Sequence, residues 1–138
     1  MLSDFAAQLV SRGGFEGGFL LTLAMIMGHA LGDYPLQGDF LAIGKNRHLD
    51  VTKLFGGEGG PKGFWIHALT AHSLVQAGIV WLITGSATLA VVELVIHWII
   101  DFVRCEKWIS FNVDQGLHIA CKAIYAVILI NAIHLPLG

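Results

Sequence analysis

The sequence predicts an all-α polytopic membrane protein: a bundle of four transmembrane helices with a short amphipathic helix ahead of them. Three observations predict it. Apolar residues make up 55% of the chain and charged residues 13%, against about 25% charged in an ordinary soluble domain. The apolar residues gather into segments long enough to span a bilayer. The basic residues concentrate in two of the connections between those segments. With 138 residues, the chain is expected to be a single integral membrane domain, 1–138.

The elements follow in order. "SDFAAQLVSR" reads as a short amphipathic helix capped by Ser3, with Phe5, Leu9 and Val10 on one side. The four spans are Gly18–Leu36, Phe64–Ile83, Ala87–Val103 and Val113–Leu135. "MLSDF" lacks the basic region of a secretory signal, so the chain is expected to stay intact. The connection 38–63 carries Lys45, Arg47, Lys53 and Lys62, and the third turn carries Arg104 and Lys107. "TGSAT", between spans two and three, carries no charge. The positive-inside rule then puts the connection 38–63 and the third turn in the cytoplasm of a bacterial inner membrane, with both termini outside. The glycine cluster "GGEGGPKG" lacks Walker spacing and a preceding strand, so it reads as a flexible loop. A net charge of −2 gives no bulk attraction for nucleic acid, and the expected partner is the lipid bilayer.

Polar residues interrupt every span. Span one holds His29 and Asp33, one helical turn apart, and span two holds His67 and His72. Span three holds Glu93, His97 and Asp101 at successive turns, and span four holds Asp114, His118 and Lys122. Ionisable groups in membrane helices are costly and mark functional sites. With the orientation above, most of them fall roughly 5–12 Å from the inner boundary, at about 1.5 Å per residue. Loop charge and intrahelical spacing are independent readings, and both put one polar site in the cytoplasmic half of the bundle.

His nitrogens and carboxylate oxygens on facing helices are ligands for zinc, the first expectation, or for carboxylate-bridged iron or manganese. The metal-ligand set is His29, Asp33, His67, His72, His97, Asp101 and His118. His67 and His72 stand about 140° apart around a helix, so they need not serve one ion. The set exceeds what one tetrahedral ion needs; two metals, or one metal with an outer ring of His and carboxylates, would use the surplus. Glu93 and Asp114 are the candidate general bases. Gln37 joins them as a residue that orients substrate, and Lys122 either neutralises the acids or holds an anionic substrate group. His48 and His134 lie outside the layer. Cys105 and Cys121 form no disulfide framework and read as packing residues. The four Trp read as interface anchors or packing, and Gly28 and Gly32 as a point of close helix approach.

"HALGDYPLQGDFLAIGKN", the His-bearing second span, "HWIID" and "DQGLH" together resemble a family of small bacterial and phage integral membrane proteins of unknown function. The resemblance picks out His29, Gly32, Asp33, Gln37, Lys45, His97, Asp101, Asp114, Gln115 and His118. It adds Gln115 to Lys122 as a substrate-holding residue and makes a phage source compatible. A weaker analogy links the site to membrane-bound metal-dependent hydrolases, which also carry His and Asp on short apolar helices. The first expected function is thus a metal-dependent hydrolase acting on a lipid or amphipathic substrate near the inner leaflet. The alternatives are a carrier of metal ions, protons or small solutes, which four spans would require to form a homo-oligomer, and a holin-like or structural protein. A pore stripe would run the length of a helix, whereas these groups stop at one depth.

Overall fold

The computed structural model describes residues 2–134, with side chains through Asn131. Its elements are α1 (Asp4–Ser11), α2 (Gly14–Asp33), α3 (Gly38–Gly44), a 3-10 turn (Thr52–Phe55), α4 (Phe64–Thr84), α5 (Ala87–Cys105) and α6 (Phe111–His134). No strand occurs among the described residues.

Local chemistry sets the boundaries. Ser3 caps α1, its Oγ accepting from the Ala6 N–H. α2 ends at Asp33, short of the expected Leu36, because Pro35 has no N–H to give the Leu31 carbonyl, which accepts from Leu36 N–H at 3.0 Å instead. Gly85 (φ 73°) closes α4 by donating its N–H to the Trp81 carbonyl. One residue on, Ser86 caps α5 by accepting from Leu89 N–H.

α2, α4, α5 and α6 form a ring of four, with α4 packed on α2 and α5, and α6 packed on α2 and α5. Small residues permit the α2–α4 contact. A Cβ on Gly28 would come within 2.4 Å of Ile79 Cγ2, and one on Gly32 within 2.4 Å of Gln76 Nε2. The G-x-x-x-G step is a close helix approach, and it lets a polar side chain lie against the α2 backbone.

The interior has two halves. Leu21, Met25, Val80, Leu89, Tyr125, Ala126 and Leu129 form an apolar core with Ala6, Leu9 and Val10 of α1. Phe5, expected on that side of α1, is instead half-exposed, and Ala6 takes the buried position. The other half is polar: His29, His72, Gln76, Glu93, His97, Asp101, Asp114, His118 and Lys122 are all buried. Meanwhile Phe15, Met27, Leu82, Val91, Val95, Ile99 and Val127 are exposed. This inverts the soluble pattern, in which charged residues are almost never buried.

Three helices are long and apolar enough to cross a membrane: Gly14–Asp33, Phe64–Thr84 and the Phe111–Asn131 part of α6. This is the make-up of a membrane protein. α5, the expected third span, falls outside that set. Over its 19 residues it carries Glu93, Asp101 and Arg104. Glu93 and Asp101 are buried, while Val91, Val92, Val95 and Ile99 are exposed. Its polarity therefore faces the bundle.

The connection 38–63 folds back over one end of the ring. Phe40, Phe55 and Phe64 pack edge-on, with centroids 5.0–6.3 Å apart. Arg47 lies over the rings of Trp65 and Phe102, 5.6 and 5.4 Å from their centroids. It also clasps Glu106 through Nε and Nη2, each at 2.7 Å, and His48 Nε2 adds a 3.1 Å contact. The Arg47 hydrogen bond, aided by His48, holds the Glu106 carboxyl below the usual glutamate range.

Candidate metal centre

The polar half brings together donors from all four long helices. The i,i+4 step sets His29 Nε2 3.4 Å from Asp33 Oδ2 on α2, and His118 Nε2 3.7 Å from Asp114 Oδ1 on α6. Between helices, His72 Nε2 is 3.4 Å from both Asp33 Oδ1 and Asp101 Oδ2, and His118 Nε2 is 3.4 Å from Asp101 Oδ1. His72 Nε2 and His97 Nε2 face each other at 3.1 Å. With metal–ligand bonds of about 2.0–2.2 Å, neighbouring ligand atoms on one ion lie about 3.0–3.5 Å apart. The spacings here match that edge length more closely than the hydrogen-bond mode of about 2.9 Å.

Hydrogen bonding behind the ring nitrogens turns the imidazoles inward. His97 Nδ1 lies 3.2 Å from Glu93 Oε1, which also accepts from Lys122 Nζ. His29 Nδ1 lies 3.3 Å from Gln76 Oε1. A proton on each Nδ1 leaves the Nε2 lone pair facing the cluster, as in carboxylate–histidine–metal arrangements. Gln76 also donates to Asp33 Oδ1 at 2.7 Å and to the His29 carbonyl at 3.3 Å. Gln115 donates to Asp33 Oδ2 at 3.0 Å and to Asp114 Oδ2 at 3.2 Å.

Three buried atoms facing the centre have no hydrogen-bond partner: His29 Nε2, His118 Nε2 and Asp114 Oδ1. Buried polar atoms are nearly always paired. Orphaned imidazole nitrogens and a carboxylate oxygen are the donor set of a borderline divalent cation, so the residues present fit one. Ligand atoms from Asp33, His72 and His97, from Asp101, Asp114 and His118, and from His29, His97 and His118 form three groups, each within 4.8 Å.

Six of the seven expected ligands meet here. His67 does not: it is exposed on α4, while His72 is fully buried. The five-residue step rotates it off the inner face. Glu93 and Lys122 pair with each other behind His97 and do not line the cavity described next. Gln76 and Lys45 carry no expected role as ligands yet touch the centre directly, Gln76 through Asp33 and Lys45 through Asp101. Gln76 stands four residues after His72, so the same one-turn step that marks the other helices marks it too. His48 binds Glu106 away from the cluster, and the side chain of His134 lies outside the described residues. Cys105 is buried and Cys121 partly buried, both as free thiols.

A cavity of about 340 Å³ opens onto the centre from the end that carries the connection 38–63. Asp33, Asp101, Asp114 and Gln115 of the centre line it, together with Gln37, Lys45, Arg104, Tyr34 and Phe111. Lys45 Nζ donates to Asp101 Oδ2 at 2.6 Å and to Gln37 Oε1 at 2.8 Å. Gln37 and Lys45 thus couple the fold-back segment to α5.

No curated protein and no solved structure matches the chain. A family model described as "Protein of unknown function (DUF3307)" matches residues 20–135. That stretch runs from within α2 to the end of α6 and contains every residue of the centre. By that match, the chain belongs to the DUF3307 family of proteins of unknown function.

Proposed function

We propose that the chain is a membrane-embedded, metal-dependent hydrolase acting on a lipid or another amphipathic ester near the inner leaflet. In this reading α5 crosses the membrane as well, making four spans, the connection 38–63 is cytoplasmic and both termini lie outside. Zinc is the first candidate metal, with iron or manganese as alternatives. One observation carries the proposal: His and carboxylate atoms from four helices lie at ligand–ligand spacing beside an open cavity, with His29 and His118 Nε2 unpartnered.

A bound divalent ion supplies Lewis acidity for an ester oxygen and acidifies a water. The chain's own residues do the rest. Lys45 and Arg104 at the cavity favour an anionic head group, and Gln37 and Gln115 orient it. Tyr34 and Phe111, both well exposed beside the cavity, offer apolar contact for a tail. Asp114 lines the cavity beside these donors, and its carboxylate has more lone pairs than Oδ1 turns to the centre, which suits it to take the proton of an attacking water. The water oxygen bonds to the ester carbon or phosphorus, the ester bond breaks, and the leaving oxygen takes that proton. Glu93, within hydrogen-bond reach of His97 and Lys122, acts as a positioning residue.

The test uses the purified chain in mild detergent, loaded with zinc or manganese. Its probes are fluorogenic amphiphiles bearing either a carboxylic ester or a phosphate ester. Metal-dependent turnover, lost at least about 100-fold in Asp101→Asn and showing a raised KM with little change in kcat in Lys45→Ala, is the expected result. A metal-loaded protein that turns over neither class overturns the hydrolase reading.

A further inference from the structure

We infer that the centre is dinuclear, with Asp33 and Asp101 each bridging two divalent cations. The inference rests on the metal-binding reading above and deepens it.

The carboxylate oxygens are divided between two sets of nitrogens. Asp33 Oδ1 faces His72 Nε2 at 3.4 Å, while Asp33 Oδ2 faces His29 Nε2 at 3.4 Å. Asp101 Oδ2 faces His72 and His97 Nε2 at 3.4 and 3.7 Å, while Asp101 Oδ1 faces His118 Nε2 at 3.4 Å. Sorting by oxygen gives two donor sets. The first is His72, His97, Asp33 Oδ1 and Asp101 Oδ2. The second is His29, His118, Asp33 Oδ2, Asp101 Oδ1 and, 3.7 Å from His118, Asp114 Oδ1. A carboxylate that offers one oxygen to each of two ions is the bridge of two-metal sites, whose ions stand about 3.5–4 Å apart.

Two further observations agree. Of the three compact groups, Asp33–His72–His97 and Asp101–Asp114–His118 share no residue, while His29–His97–His118 spans the two donor sets, as it would where the two ions stand close together. His29 and His118 are only 3% and 1% exposed, and their unpartnered Nε2 atoms belong to the second set. The first set has four protein donors and the second five, enough for a full tetrahedron and for an expanded shell.

Charge favours the same count. Asp33, Asp101 and Asp114 bring three negative charges to the centre, and Lys45 is the one permanent cation within salt-bridge distance of them among the described residues. Glu93 is already matched by Lys122. An uncompensated buried charge is strongly destabilising. Lys45 can stay in place, since a carboxylate oxygen has lone pairs for both an ammonium and a metal.

The experiment measures manganese and zinc stoichiometry by elemental mass spectrometry on untagged, detergent-purified chain, with electron paramagnetic resonance on the manganese form. Two ions per chain and the spectrum of a magnetically coupled pair are expected. His72→Gln should retain one ion with an uncoupled spectrum, and Asp33→Asn, which leaves Asp101 as the sole bridge, should weaken the coupling. Helical circular dichroism and elution volume report whether each variant is folded; where one is not, the wild-type count and spectrum decide. One ion per wild-type chain, or two ions without coupling, overturns the dinuclear assignment and leaves the metal-binding reading standing. No bound ion after loading overturns both.

Discussion

Gln76 is an amide fully buried in α4 that holds two residues of α2 at once: His29 through Nδ1 and Asp33 through Oδ1. It fixes which imidazole nitrogen of His29 faces the centre, and it can reach α2 only because Gly32 has no side chain. Removing such a partner of a ligand typically weakens metal affinity about 10–100-fold. Gln76→Ala should do so in a chelator-competition titration, with the fold intact. Much of the centre is legible from spacing alone, because His29/Asp33, His97/Asp101 and Asp114/His118 each repeat the one-turn step. Gln76 obeys the same step from His72 but is hidden by its residue type, since an amide is no ordinary ligand. His67 fails for the opposite reason: it has the right chemistry at the wrong angle. Which oxygen of Asp33 or Asp101 faces which imidazole depends on interhelical register, and no local pattern carries that.

At the scale of elements, the connection 38–63 is both a loop and a wall of the cavity. Its basic content is readable as a topology signal, whereas its path is not: Lys45 meets Asp101, 56 residues later, and Arg47 meets Glu106, 59 residues later. Because Glu106 is held below its ordinary range, its pairing with Arg47 stabilises the docked segment fully above the ordinary glutamate pKa. That contribution is lost as pH falls through the depressed value. At neutral pH, Glu106→Gln should therefore raise amide hydrogen exchange across residues 45–49 several-fold. The difference from wild type should vanish in acid. Equal protection at neutral pH would show that the aromatic contacts of Arg47 suffice. Pro35 carries the signal for the end of α2, which the hydropathy reading overran to Leu36, and Ser86 carries that for the start of α5, since proline and capping rules act within a few residues.

For the whole molecule, the question is whether α5 crosses the bilayer. Composition alone separates it from α2, α4 and α6, while its exposed face is as apolar as theirs. A four-span bundle puts Asp50 and Lys107 on one side and Arg12 on the other. In a background without native cysteines, a membrane-impermeant maleimide should label Arg12→Cys in intact cells. Asp50→Cys and Lys107→Cys should react only in inverted vesicles. Labelling of Lys107→Cys from outside would show that α5 returns without crossing. The all-helical class and the segregation of polar groups to one depth are legible from the chain, because they arise from composition and period. The division of the interior into a dry half and a polar half depends on how α1 plugs one end, which the amphipathic pattern only hints at through Leu9 and Val10.

The seam between Ser3 and α4 bears on how the protein is made. Ser3 N–H donates to the Thr84 carbonyl at 3.0 Å, and its hydroxyl donates to the Ile83 carbonyl at 2.5 Å. These partners are 80 or more residues apart in the chain, so a nascent polypeptide presents Ser3 long before the acceptors exist. α1 can dock here only after the end of α4 has been synthesised. The dry half of the bundle is therefore closed by a segment made before its partners and docked after them.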